Sequence, residues 1–332
     1  MPQRSPFMRL KEGGPRTASI ALAAESAVAP IPACQQATSG ARVEVERHAQ
    51  SDFFVADILD PSPKDDVASM EHPLFALRPG DRRIRIYERN GQSVEVQPSA
   101  KGSATIHDKD VWIYCISQLV EGMNRDRIDT NREVHFTAYG FLVATNRGLS
   151  GASYNRLGEA LERLRGTSIV TNIETSGRRE RNGFGLIDSF RIVERSRTDN
   201  RMVAVSVTLP DWLYRSVQAK QVLTLSRDYF RIRKPLHRRI YELARKHCGV
   251  QPKWRVRMEV LYTKSGSTST LAKFRLNMKG LAASGKLPDY RLVWDEVGDA
   301  VTVYHRGVLG SKAQLADYVK AARRKHGNQI GI

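Results

Sequence analysis

Between Thr268 and Ser284 a helical pattern carries polar side chains whose types and spacing suit the edges of nucleic-acid bases. Leu271, Phe274, Met278, Leu281 and Ala282 mark one apolar face, which leaves Lys273, Asn277 and Gly280 facing away, with Ser269 and Thr270 at the N-terminal end. Lysine can reach guanine O6 and N7, asparagine can pair with adenine N6 and N7, and a serine or threonine hydroxyl serves either. A helix of this kind enters the major groove with its N-terminal residues on the bases, and its N-terminus also favours a phosphate. An earlier helix, starting at Ser150 or Ser153 and stopped by Gly166, offers Asn155, Arg156 and Arg163 on its outer face. Glu159 stands among them and repels phosphates, so the later helix is expected to be the stronger reader.

Charge points the same way. From Ser226 to Arg257 there are 11 basic residues and 2 acidic ones. Lys and Arg side chains release counterions when they meet phosphates, and that term dominates affinity for nucleic acid. Arg238, Arg239 and Arg245 are expected to make such contacts, because Ile240, Leu243 and Ala244 take the core side of their helix. Over all 332 residues the formal charge is +18, unevenly spread: residues 1–70 carry −2 and the remainder +20. A field of that sign concentrates polyanions, which makes nucleic acid the first candidate partner and an anionic membrane the second.

Competing chemistries fare worse. Gly280–Lys286 has the G-x-x-x-x-G-K spacing of a phosphate loop, but Leu287 stands where a Ser or Thr would hold magnesium. The stretch also ends a helix instead of joining a strand to one. Gly183-Phe184-Gly185 lacks the third glycine of a dinucleotide loop. The eight histidines include no His-x-His or His-x-x-x-His pair, so no metal site is expected. His237 and Tyr241 share a helix with Arg238 and Arg239 but point several ways, unlike a strand-cleaving tyrosine centre. Cys34, Cys115 and Cys248 are odd in number and far apart, which fits a reducing cytoplasm. Ala18–Ala29 follows three cations but is broken by Glu25, and no run nears the roughly 18 apolar residues of a spanning helix. The reading is a non-enzymatic protein without cofactor or membrane anchor.

The surrounding elements place the reading helices in repeated units. Residues 1–70 are rich in Ala, Pro, Ser and Gly and read as a disordered arm, with a helical turn near Asp52–Leu59. Arg82–Tyr87 and Ser93–Val96 predict a hairpin, and Val111–Val120 a core helix. Ala138–Thr145, a turn permitted by Gly148, and the helix to Gly166 predict a helix-turn-helix. Ser168–Ile173 and Leu186–Val193 would follow as a wing whose tip carries Arg178, Arg179 and Arg181. The order recurs after Met202–Leu209: a long helix Leu236–His247, a short helix Arg257–Lys264, the turn Ser265-Gly266-Ser267, the reading helix, and a hairpin of Tyr290–Asp295 with Ala300–His305. The expected fold is α+β, with two tandem winged helix-turn-helix domains at residues 71–205 and 206–307 and a C-terminal helix and basic tail at 308–332.

Several stretches resemble the plasmid replication initiator protein A family of proteobacteria. They are Tyr154–Leu157, Leu161–Thr167, Thr171–Ile173, Phe184–Ile187, Val222–Phe230, Lys234–Gly249 and Lys264–Ser267, and the similarity spans roughly Met70 to Gly307. The resemblance implies binding to repeated duplex DNA sites in a plasmid origin, opening of the duplex, and recruitment of the host initiator and replicative helicase. It also implies two winged helices, the first a dimer surface through which relatives form homodimers that repress their own gene. Lys264–Ser267 and the helix after it match the turn and reading helix of the second domain. Where the family has acidic or arginine residues in that helix, this chain has Ala272, Lys273, Leu276 and Asn277, which alters the expected target sequence. On the first wing, Arg178, Arg179 and Arg181 would touch backbone or minor groove unless that wing is the dimer surface. Two other roles stay open: a transcriptional repressor on the same scaffold, and a structural or RNA-binding module. The last is disfavoured because no aromatic stacking platform is apparent in the sequence.

Overall fold

The apolar patterns resolve into helices and sheets gathered around two hydrophobic cores. The structure is a computed structural model and describes residues 53–89, 91–172, 182–194 and 202–327. Phe54–Val55 (β1), Lys64–Asp66 (β2) and the short helix Val67–Glu71 (α1) come first. Arg85–Arg89 (β3) and Gln92–Gln97 (β4) form the expected antiparallel pair. Then follow the helix Asp110–Asn124 (α2), the strand Glu133–Thr137 (β5) and the helices Ala138–Ala144 (α3) and Gly151–Gly166 (α4). Four strands come next, Ser168–Thr171 (β6), Asn182–Gly185 (β7), Ser189–Glu194 (β8) and Met202–Thr208 (β9). The chain continues through Asp211–Gln218 (α5), Val222–Thr224 (β10) and a 3-10 turn at Arg227–Arg231. Pro235–His247 (α6), Lys253–Arg257 (β11), Met258–Ser265 (α7) and Leu271–Ser284 (α8) lead to the hairpin of Tyr290–Asp295 (β12) and Ala300–His305 (β13). Val308–Gly327 (α9) is the last helix described.

Pairing departs from the sequence reading in four places. Residues 53–70 are not a free arm. Phe54 is fully buried, β1 runs parallel to β5, β2 pairs with β10, and Met70 sits in the second core. Residues 54 and 55 are strand, where the sequence pattern suggests a helical turn; residues 1–52 lie outside the described residues. The partner of β6 is β7 and not Leu186–Val193: the chain leaves the sheet β3-β4-β6-β7 after Gly185, and β8 joins β1-β5-β9-β8. A boundary at residue 205 falls inside β9, whose Val205 and Val207, with Leu213 and Val217 of α5, pack in the first core. Finally, the left-handed residue between α3 and α4 is Asn146, at φ 52°, and not Gly148. Asparagine tolerates that conformation better than most residues.

Helix α2 touches both cores, which explains why its pattern is apolar nearly all round. Trp112 lies in the first core with its indole N–H donating to the Leu186 carbonyl at 2.7 Å, while Ile113 lies in the second. Beside it, the Lys109 ammonium is buried 2.6 Å from Asp65 and 3.2 Å from Glu242. Burial pushes the Asp65 carboxyl up to about 7 against the pull of Lys109, with Glu242 and Asp66 adding repulsion. Relative to an Asp65→Asn variant, the wild type should therefore lose stability as pH rises from about 4 to about 7. The folded state holds that proton more tightly than the unfolded chain does. The loss between pH 5 and 7 should be roughly 2 kcal/mol. His72 and His107, whose burial pushes both down to about 4, act in the opposite sense but are common to both proteins and cancel. Urea denaturation of the pair at pH 5 and 7 checks it; parallel pH profiles would show that Asp65 is ionised in the fold throughout.

Candidate nucleic-acid interface

Helices α7 and α8 are joined by a turn that only glycine can make here. Gly266 has φ 65°, and a Cβ on it would lie 2.7 Å from Pro73 Cβ and 3.2 Å from the Tyr87 hydroxyl. The turn is thus seated against residues of the first half of the chain. Thr270 caps α8, its hydroxyl accepting from the Lys273 N–H at 3.3 Å, and Ser269 shares a 3.0 Å hydrogen bond with Ser267. Of the two hydroxyls expected to read bases, that of Thr270 is therefore engaged in capping the helix and that of Ser269 in the turn before it. Phe274, Met278 and Leu281 are buried, and Arg275 ties the helix to the β12–β13 turn through a 2.6 Å contact with Asp299. Lys273, Asn277 and Gly280 are exposed on the opposite side, where the spacing put them, together with Leu276 at 69% exposure.

These outward residues line a groove of about 1230 Å³. Arg231, Arg233, Lys234 and His237 line the same groove, as do Arg78, Lys286 and Arg306. Asp228 also lines the groove and pairs with Arg231 at 2.8 Å, whereas among the described residues no carboxylate pairs with Arg233, Lys234, Lys273 or Lys286. The N-terminal ends of α6 and α8 both open on the groove, adding the partial positive charge of two helix dipoles. The Arg233 guanidinium also comes within 3.5 Å of the Asn146 carbonyl, in the turn between α3 and α4. The basic strip thus runs from the second helix pair to the first. Sequence reasoning counts Arg231, Arg233 and Lys234 in the charged run without singling them out. The available signal is Pro235: a proline at the first helical position leaves the residues before it outside the helix and free to face solvent.

Arg238 and Arg239 are not phosphate contacts. They are 2% and 3% exposed, because α6 is enclosed on every side from Arg238 to Ala244. Arg238 pairs with Asp110, donates to the Ile232 and Phe230 carbonyls and lies over the Tyr229 ring. Asp110 also holds Arg147 at 2.7 Å, so one buried carboxylate joins α6 to the α3–α4 turn. Arg239 donates to the carbonyls of Ser69, Met70, Glu71 and Lys264 and pairs with Glu242 at 3.1 Å. Lys264 immediately precedes the α7–α8 turn, so Arg239 helps to position α8 without facing the groove. Arg245 is half-buried, its Nε donating to the Thr224 carbonyl at 2.6 Å.

On the first helix pair, Arg163 is withdrawn by a two-pronged pair with Asp108, both contacts 2.9 Å. Asn155 and Arg156 are exposed, the latter donating to the Ala152 carbonyl of its own helix at 3.0 Å. Glu159 is exposed beside them. Arg178, Arg179 and Arg181 lie outside the described residues.

Comparison with known proteins places this architecture. The family model described as Replication initiator protein A matches residues 64–292. The chain belongs to that family. A relative from Wigglesworthia glossinidia brevipalpis, named "Putative replication protein", is 43% identical over 257 residues, which is 77% of this chain and 94% of the relative. Among solved structures, domains 2 and 3 of RctB superpose with a TM-score of 0.52 at 10% identity, over 73% of this chain and 98% of that one. That likeness concerns the fold alone. This initiator family member is a mixed α/β chain, and none of its described helices is long and apolar enough to cross a membrane.

Proposed function

We propose that the protein starts plasmid replication by binding repeated duplex DNA sites at the origin, without enzymatic chemistry of its own. The observation that carries this reading is the groove along α8, which exposed Lys273 and Asn277 line together with uncompensated Arg233 and Lys234. In this reading α3–α4 and α7–α8 are the helix-turn-helix elements of two winged-helix modules, with β6–β7 and β12–β13 as their wings. Helix α8 reads the major groove: Lys273 takes guanine, Asn277 adenine, and exposed Leu276 packs on a thymine methyl. Arg233 and Lys234 hold the adjacent backbone. Helix α4, with Arg163 committed to Asp108, contributes Asn155 and Arg156 and serves more to orient the duplex than to read it. The two reading helices then lie about one turn, ~10 bp, apart on one face. Arg178, Arg179 and Arg181 are assigned to the backbone beside α4, or to a homodimer surface. Binding to several repeats would bend and open the origin for the host initiator and helicase.

Selection of the purified protein against a random duplex pool at about 0.2 M salt, where purely phosphate-driven binding is suppressed, tests this. The expected result is one motif of about 15–20 bp with two information-rich clusters a helical turn apart. No enrichment, with binding that collapses steeply as salt rises, would reduce the protein to a general polyanion binder.

A further inference from the structure

We propose that the outward face of α9 is a docking surface for an acidic amphipathic helix of another protein. A surface helix ordinarily turns its apolar stripe to the core and its polar side to water; α9 does the reverse. Its polar side faces the body of the protein. Asp317 accepts hydrogen bonds from the Lys253 ammonium at 2.6 Å and the Tyr304 hydroxyl at 2.7 Å, and Gln314 accepts from Arg291 at 3.3 Å. Gly310 brings the first turn so close that a Cβ would lie 1.9 Å from the His305 carbonyl oxygen. The helix is therefore fixed in orientation. Val308, Leu315 and Val319, spaced seven and four apart, and neighbouring Tyr318 are 71%, 68%, 45% and 71% exposed.

The occupant follows from what borders that stripe. Lys312, Lys320 and Arg323 flank it, all exposed; Lys320 adds to the field that holds the Asp317 carboxyl down, but among the described residues none of the three lies within ion-pair distance of a carboxylate. A second copy of α9 would bring the same cations face to face. A phosphate backbone would use the cations and leave the stripe wet. A bilayer calls for a broader apolar face with larger anchors than these four side chains provide. A helix with an apolar seam bordered by Glu or Asp satisfies stripe and cations together. The surface lies beyond residue 292, where the family match ends, and apart from the groove along α8, so it does not rest on the DNA reading.

The test uses the full chain and two labelled synthetic helices with the same leucine seam, one flanked by glutamates and one by lysines. The glutamate peptide should bind, weaken at high salt, and lose about tenfold or more in affinity against Leu315→Glu/Val319→Glu, since the two new carboxylates remove apolar contact and set like charge against the peptide's glutamates. Both positions are exposed, so thermal melting and duplex DNA binding of the variant should match wild type. Equal binding of the two peptides, or glutamate-peptide binding indifferent to the substitutions, would overturn the proposal. So would stripe-dependent pelleting with phosphatidylserine vesicles, which would assign the face to a membrane, or a stripe-dependent dimer in sedimentation, which would assign it to a second copy. Wild-type protein that bound the glutamate peptide as expected but showed no binding to duplex DNA would strike only the DNA reading.

Discussion

Arg239→Met is expected to destabilise the protein by about 3–5 kcal/mol, the usual cost of removing one partner from a buried ion pair. Methionine keeps the apolar stem but ends two atoms short of the guanidinium tip, so a cavity term adds to the electrostatic loss. What goes is the guanidinium that serves the carbonyls of Ser69, Met70, Glu71 and Lys264 and the carboxylate of Glu242. Glu242 would retain Lys109 at 3.2 Å and the Tyr229 hydroxyl at 2.7 Å, while Lys109 also serves Asp65. Arg239→Lys keeps the charge but not the planar fork, and should fall between. A urea midpoint shifted at unchanged slope would read the loss directly. A methionine variant with wild-type stability and a shallower salt dependence of DNA binding would instead return Arg239 to the phosphate contacts.

The same residue shows where sequence reading succeeds and where it stops. Local periodicity is enough for α8, because Phe274, Met278 and Leu281 repeat at helical spacing and one side of the helix is truly exposed. It is enough for β12 and β13, whose bounds match the expected strands residue for residue. Periodicity also assigns Ile240, Leu243 and Ala244 to the core correctly. It then implies that the rest of α6 faces water, and between Arg238 and Ala244 α6 has no such side. Beside nearby carbonyls and Glu242, the partners of Arg238 and Arg239 include Asp110 and residues 69–71, more than a hundred positions away. Nothing in a local window records them. The one hint is Glu242, a lone carboxylate within an arginine-rich helix. The missed pairing of β6 with β7 has a similar cause: two short strands of four residues carry less pattern than the stronger apolar run from Leu186 to Val193, which belongs to the next sheet. The 53–70 stretch carries two prolines, Pro61 and Pro63, and continues an Ala-, Pro- and Ser-rich segment, so it reads as part of the disordered arm. Phe54, Ile58 and Met70 nonetheless fill gaps in two cores built by distant elements.

Lys273→Ala combined with Asn277→Ala is expected to erase most discrimination between the selected site and random duplex, a loss of about 2–6 kcal/mol if each side chain supplies one good base contact. At the lower bound this is roughly 30-fold in relative affinity. Stability should stay within about 0.5 kcal/mol of wild type, since both side chains are exposed and neither is buried or paired. A matched pair of substitutions separates reading from holding. Arg233→Ala with Lys234→Ala, in the same groove, should weaken all duplexes alike and reduce the salt slope by about 2, one counterion for each phosphate left without its cation. The two outcomes are orthogonal: the first variant loses sequence preference at nearly constant salt slope, apart from the share of one lysine, and the second loses salt slope at constant preference. Competition binding across several salt concentrations measures both at once. If the first variant kept its preference for the selected site, α8 would not be the reading helix, and the uncompensated charge of the groove would mark a backbone clamp whose specificity arises from another part of the chain.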